Sequence, residues 1–375
     1  MWIGVWGVME GPYGDSTAWA VAPEKAPREA HQIAEQAPRW PAKLNRDFWL
    51  EVKPARTVVA RYSLSIHAPH LEAQRWLIFA AQPPECAGQA VRRVTTTPSS
   101  RTLADLSPLA QPLRITRFPV RGSRWKSAFD YQIECEVELS ARVLRSTSGG
   151  AQGAAAPQLS DAERIAWLLP TAQFNYIDES FRAWQAARSL TRRTDEGEID
   201  FARRVFQILA RELTYEYLGD QDRCASFVCQ AGKSDCGGMA ILYASVLRSQ
   251  GIPARARVGR WAQSAVRGQT LNQIPYHQAH VKAEFFAQGV GWVPVDLSSA
   301  VEHDRSPARL RYFGAESGNF ITFHFDAGLS FDTHYFGVKT MTFMQKPAYW
   351  ASGAGNFDEV RLDEDWRVDP VAASR

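Results

Sequence analysis

Residues 232–255 read GKSDCGGMAILYASVLRSQGIPAR, and this stretch decides how the rest of the chain is read. Ser234 and Asp235 are residue types that cap helix N-termini. After the Cys236-Gly237-Gly238 turn, Met239, Ile241, Leu242, Ala244, Val246 and Leu247 recur at near-helical spacing. Gly251 ends the helix, with Pro253 just beyond it. A cysteine in a first turn has backbone N–H groups and the positive end of the helix dipole aimed at its sulfur, which favours the thiolate and makes a nucleophile of it. Two following glycines let another backbone or a substrate come close. The alternative for the same residues is a structural cysteine, since free cysteine is among the most buried residue types.

A second stretch, YHQAHVKAEFFAQGVGWVPVD from Tyr276 to Asp296, supplies the partners a thiol needs. His280 opens a run with Val281, Ala283 and Phe285 on one face and Lys282 and Glu284 on the other, the period of a half-buried strand. Gln288 to Gly291 form a turn and Trp292 to Asp296 the returning strand, so a hairpin brings His280 towards Asp296. The chemistry requires that contact: the imidazole takes the thiol proton, and the carboxylate fixes the ring tautomer and stabilises the imidazolium. Cys, His and Asp in that order on helix, strand and strand are far more specific than any one of them alone.

These residues resemble the transglutaminase-like superfamily of papain-like thiol enzymes. That family has a helix-opening Cys followed by a run ending Leu-Arg-x-x-Gly-Ile-Pro-Ala-Arg, matched by Cys236 and by Leu247 to Arg255. Its His-x-x-x-Glu strand is matched by His280 and Glu284, and its Gly-Trp-x-x-x-Asp strand by Gly291, Trp292 and Asp296. One departure is visible: many members carry Trp two residues after the His, where this chain has Lys282, so the substrate-side wall differs. The match runs from about Asp161 to Ser298. It implies a papain-like fold and a Cys236, His280, Asp296 triad that needs no cofactor or metal. It leaves open cross-linking, peptide or amide hydrolysis, and loss of catalysis. Oxyanion stabilisation needs the N–H of Cys236 plus a second donor, for which Gln230 is the candidate and a solvent-facing loop glutamine the alternative. Gly237 and Trp292 are the further substrate-binding candidates. No calcium-loop pattern is evident, which favours hydrolysis of a peptide or protein substrate over metal-activated cross-linking. The rival is a non-catalytic binding or scaffold protein.

The remainder bounds the architecture. A chain of 375 residues, 45% hydrophobic, suffices for about two domains. A net charge of +3, with no basic tract interleaved with aromatics, gives no support to nucleic-acid binding. No apolar run reaches the length of a membrane span. Trp2 to Met9 and Ala18-Trp19-Ala20 leave the N-terminus open between a partial signal peptide and an extra or frayed segment, and the compartment open with it. Cys86, Cys135, Cys224 and Cys229 make two disulfides or stay reduced; composition does not choose.

From Trp40 to Leu144 the chain alternates as strands. Val58, Ala60, Tyr62, Leu64 and Ile66 form one stripe, and Tyr131, Ile133, Cys135, Val137 and Leu139 another, as expected of a β-sandwich. Helices are expected from Ser160, from Asp178 to Arg192 and from Ile199 to Tyr217, with Leu218 to Lys233 a loop leading to the nucleophile. Strands after Asp296 should complete the catalytic sheet, and Asp358 to Asp369 should be a solvated strip. The fold class is therefore α+β: an N-terminal β-sandwich over 1–145, a small-residue linker over 146–159, and a transglutaminase-like domain over 160–375.

Overall fold

A computed structural model describes residues 28–40, 45–119, 128–146 and 157–371; the Trp2–Met9 run and most of the expected linker lie outside these. After α1 (Arg28–Gln36) the chain runs through β1 (Phe48–Val52), β2 (Arg56–His67), β3 (Leu71–Ala81), β4 (Gln89–Thr97), β5 (Arg101–Ala104), β6 (Pro112–Pro119), β7 (Ala128–Leu139) and β8 (Arg142–Ser146). The register sets Tyr62 opposite Ile133, Ala60 opposite Cys135 and Val58 opposite Val137, so both apolar stripes fall on one face of the sheet. That face packs on Trp76, Ile78 and Ala80 of β3. Trp76 stacks on Phe129 at 5.4 Å. The opposite face carries cross-strand ion pairs such as Arg61 with Glu134 and Arg92 with Glu138, both at 2.6 Å. Exposed pairs of this kind contribute about 0–1 kcal/mol each, so the buried stripe holds the layers together.

The second half opens with α2 (Asp161–Ala166), started by a full capping box between Ser160 and Glu163. Next come α3 (Glu179–Ala187), α4 (Glu198–Glu212), β9 (Thr214–Tyr215), α5 (Ala225–Ala231), β10 (Lys233–Ser234) and α6 (Cys236–Arg248). Helix α3 stops short of the expected Arg192, and Ser189 just beyond it has a positive φ of 52°. The expected loop before the nucleophile contains α5, whose Ala225, Val228 and Cys229 are buried. One helix of seven residues is too short to announce itself by periodicity. The chain continues through β11 (Ala254–Trp261), β12 (Thr270–Leu271), β13 (Ile274–Pro275), β14 (Ala279–Ala287), β15 (Gly291–Val295), α7 (Leu297–His303), β16 (Ala315–Glu316), β17 (Phe320–Phe325), β18 (Leu329–Asp332) and β19 (Val338–Met341).

Strands β15, β14, β11 and β17 form an antiparallel sheet in that order, and α6 packs against its two central members. Helix α6 is buried from Gly237 to Arg248, as an all-round apolar helix must be. Strand β14 departs from the half-wet expectation, because Lys282 and Glu284 are buried together with Val281, Ala283 and Phe285. Their face is covered by β8 and β16, from which Arg142 and Glu316 reach in to form ion pairs.

The last two strands overturn the reading of the C-terminal region. Strand β20 (Ala348–Gly355) pairs with β3, and β21 (Arg361–Pro370) pairs with β2 over ten residues. The supposed solvated strip is thus an edge strand with Trp366 1% exposed, and Leu362 and Val368 packed beside it. Its acidic residues hid a period-2 pattern. The two N-terminal sheets run β21-β2-β7-β4 and β20-β3-β6-β5, so residues 348–370 pair with the N-terminal layers while the sequence assigned all of 160–375 to the second domain. All five cysteines are free, so neither candidate disulfide is formed. No helix among the described residues is long and apolar enough to cross a membrane.

Candidate active site

Cys236 is the first residue of α6, and Asp235 is its N-cap, accepting a hydrogen bond from the Gly238 N–H at 3.1 Å. Arg223 holds the other oxygen of Asp235 at 2.7 Å. The short parallel pair β9 and β10 sets Ser234 against Tyr215 and so fixes the backbone just ahead of the cysteine. Both glycines of the turn are needed. A Cβ on Gly237 would lie 2.7 Å from the Phe343 ring, and one on Gly238 would lie 2.0 Å from Ser234 Oγ.

Strand β14 packs against α6 and passes the helix start, so that the N–H of Val281, one residue from His280, favours the thiolate of Cys236. The β14–β15 hairpin then brings His280 Nε2 to 2.9 Å from Asp296 Oδ2, with both side chains nearly buried. Asp296 is itself the N-cap of α7. Its Oδ1 accepts from the Ser299 N–H at 3.0 Å and the Ser298 hydroxyl at 3.2 Å, so the carboxylate cannot rotate freely. Burial pushes the Asp296 carboxyl up, but His280, Lys282 and the Ser299 N–H outweigh it and hold it well below the usual range. An ionised Asp296 on Nε2 keeps the proton there and leaves Nδ1 as the basic nitrogen.

The thiol behaves differently from the sequence expectation. Burial, and then the Asp235 carboxylate, push the Cys236 thiol well above its ordinary value, while the Val281 N–H and Arg223 pull less strongly the other way. The helix start alone favours the thiolate, but its capping residue is an anion placed beside the sulfur. Burial and this anion both favour the protonated form of Cys236.

Lys282, two residues after His280, is a buried lysine. Its Nζ lies 3.9 Å from Asp296 and 3.5 Å from Glu316, and 4.3 Å from the centre of the Trp261 ring. The His280 ring stacks on Trp261 at 4.5 Å and meets the edge of Phe320 at 6.1 Å, which fixes its plane. Behind Lys282 lies a closed ion network. Arg142 and Arg257 reach Glu316 at 2.7 and 2.5 Å, and Arg255 reaches Glu284 at 2.6 Å. Burial pushes Glu316 up, but Arg257, Lys282 and Arg142 hold it far below its ordinary value.

The remaining candidates stand further out. Gln230 donates its amide to the Ser180 carbonyl at 3.2 Å, so it is turned towards α3 rather than offered beside Cys236. Trp292 is sandwiched between Trp167, Phe286 and the Arg255 guanidinium, the last at 3.8 Å, and so braces the hairpin from behind. Sequence reasoning missed Trp261, Glu316, Phe343 and Gln345. Gln345 donates to the His280 carbonyl at 2.9 Å, and Phe343 covers the helix start. Only the Ala254-Arg255-Ala256-Arg257 alternation carried any signal, that of a strand with a charged inner face.

Residues 185–297 match the profile of the transglutaminase-like superfamily, and this segment spans the Cys, His and Asp just described. No curated protein sequence matches the chain. Among solved structures, a candidate cysteine protease from Cytophaga hutchinsonii is similar in fold, with a TM-score of 0.50 at 11% identity over 87% of this chain and 94% of that one. The periplasmic domain of TgpA from Pseudomonas aeruginosa aligns with a TM-score of 0.34 at 16% identity over 77% of this chain and 97% of that one. The N-terminal β-layers followed by a mixed helix and sheet unit are the architecture expected from the sequence.

Proposed function

We propose that this protein is a cysteine-dependent acyl-transfer enzyme that hydrolyses peptide or amide bonds through a thioester on Cys236. The observation that carries this reading is the buried 2.9 Å contact between His280 and Asp296, on a strand packed against the helix that Cys236 opens. In the reaction, the Cys236 sulfur attacks the amide carbonyl carbon while its proton passes to Nδ1 of His280. The tetrahedral oxyanion is met by the Cys236 N–H. The C–N bond then breaks, and His280 returns the proton to the departing amine, leaving the acyl group on sulfur. Water attacks the thioester with His280 again as base, releasing the acid and restoring the thiol. Asp296 stays ionised throughout and stabilises the imidazolium that forms twice per cycle.

The raised thiol fits this order of events. A thiol that holds its proton more tightly than usual gives it up as it attacks, so proton transfer accompanies attack. The decisive experiment is an acid quench during turnover of a panel of peptide amides, followed by mass mapping of the acyl group. An adduct on Cys236 that is absent in Cys236→Ala and His280→Ala supports the reading. Turnover that survives Cys236→Ala refutes it.

A further inference from the structure

Beside the site lies an open groove of about 460 Å³ between the C-terminal ends of α4 and α7. Arg211, His303, Arg305 and Arg309 line it, with Glu302 as the one acidic residue and Tyr215 on its inner side. We propose that this groove binds a carboxylate of the substrate, two or three residues from the attacked bond, and so selects acidic peptides. The proposal rests on the reading of Cys236 as nucleophile.

The groove is joined to the reacting groups at two points. Tyr215 pairs in register with Ser234, two residues before Cys236, and its phenol is pushed up by burial and then by Cys236, Asp235, Glu302 and Tyr276 around it. Burial pushes the Glu302 carboxyl up, and His303, then His280 and Asp296, act on it less strongly. Helix α7 provides the ruler. Asp296 caps one end of its seven residues and His303 ends the other, a span of about 10 Å at 1.5 Å per residue. An extended peptide covers that distance in about three residues.

Two of the three arginines are held by backbone carbonyls. Arg309 donates to the Ala210 carbonyl at the end of α4 at 3.2 Å, and Arg305 donates to the Val301 carbonyl of α7 at 3.3 Å. A cation at each helix end would answer the two helix dipoles. It would not account for three arginines lining one concavity, none of which has an ion-pair partner among the described residues. Each keeps N–H donors for a ligand, and a carboxylate matches the guanidinium fork better than any neutral side chain.

The test separates the groove from the chemistry. In the Cys236→Ala protein, dissociation constants are measured by NMR titration for acetylated, amidated alanine-rich hexapeptides. Each carries one Glu, or Gln in its neutral twin, moved along the chain; another Gln peptide is left with a free C-terminal carboxylate. The Glu peptide should bind about tenfold tighter than its twin at one position, the worth of one charge-assisted contact. The ratio should shrink in 0.5 M salt, where the screening length falls to roughly 4 Å, and approach one when Arg211→Gln and Arg305→Gln are added. Preference for the free-terminus peptide instead would make the ligand a chain-end carboxylate and would equally support the groove. Equal binding of every acidic peptide and its twin, or a preference untouched by the two arginine changes, overturns the proposal. If the preference is found but no acyl group ever forms on Cys236 in the unmutated protein, the groove stands and the catalytic reading falls.

Discussion

Replacing Glu198 with Gln should stabilise the protein, and much more at pH 8 than at pH 5. Glu198 sits at the start of α4, 4% exposed, where Asn45 and the Gln288 N–H donate to its Oε2 and no cation lies within ion-pair distance among the described residues. Burial pushes its carboxyl from 4.5 up to about 7. A raised carboxyl binds its proton more tightly in the folded state, so its unfavourable contribution is absent below about pH 4 and complete above about pH 7. The full shift corresponds to about 3 kcal/mol, of which less than about 1 kcal/mol has developed by pH 5. Gln keeps a carbonyl for the Gln288 N–H and has no proton to lose. Any change in the Asn45 contact is common to both pH values and cancels. The assay is thermal and urea unfolding of both proteins at pH 5 and pH 8, with hydrogen exchange at the Gln288 amide to confirm that the hairpin turn is the reporter. The variant's advantage should be larger by roughly 2–3 kcal/mol at pH 8. An equal difference at the two pH values would refute the reasoning, since it would mean that Glu198 is ionised in the fold without cost.

Other outcomes follow from the site. Glu316→Gln leaves Arg142, Arg257 and Lys282 short of a buried anion and should cost about 3–5 kcal/mol, read from the unfolding midpoint; a midpoint within error of the original would contradict the closed network. Phe343→Ala should uncover the helix start and raise the rate of iodoacetamide labelling of Cys236 several-fold, whereas an unchanged rate would mean the ring does not gate the sulfur. Asp296→Asn should lower turnover by a factor on the order of 10⁴ while the fold persists by circular dichroism, because the imidazole loses the partner that fixes its tautomer. Removal of residues 358–375 should expose β2 and cause association visible by light scattering, and a monomeric, thermally unchanged product would speak against the pairing of β21.

The candidate set of Cys236, His280 and Asp296 was legible because each member sits on an element with a strong local signal. Cys236 follows a cap and precedes an apolar helix, and His280 and Asp296 flank a hairpin with Gly at its turn. What surrounds them was not legible, since it depends on contacts between distant segments. Lys282 and Glu284 read as a wet strand face because period 2 reports alternation, not what lies opposite, and Arg142 and Glu316 arrive from elsewhere in the chain. Gln230 was nominated on proximity in sequence, but α5 turns its amide to Ser180. The thiol was expected to be acidic because the helix dipole can be read from sequence, whereas the desolvation that wins over it cannot.

The return of β21 to β2 also governs the order in which the molecule can be built. Residues 57–67 leave the ribosome roughly 300 residues before 361–370, so at 5–20 residues per second the outer edge of β2 waits about 15–60 s for its neighbour. During that interval its N–H and C=O groups are an open template for any passing strand. Helix α6 and its sheet precede β21 in the chain and can pack while the edge is still bare, so the nascent chain is most prone to pair wrongly after the half that carries Cys236, His280 and Asp296 has formed. The strand that ends the wait carries Asp363, Glu364, Asp365 and Asp369 and finishes at Pro370, a composition that closes one edge without offering another.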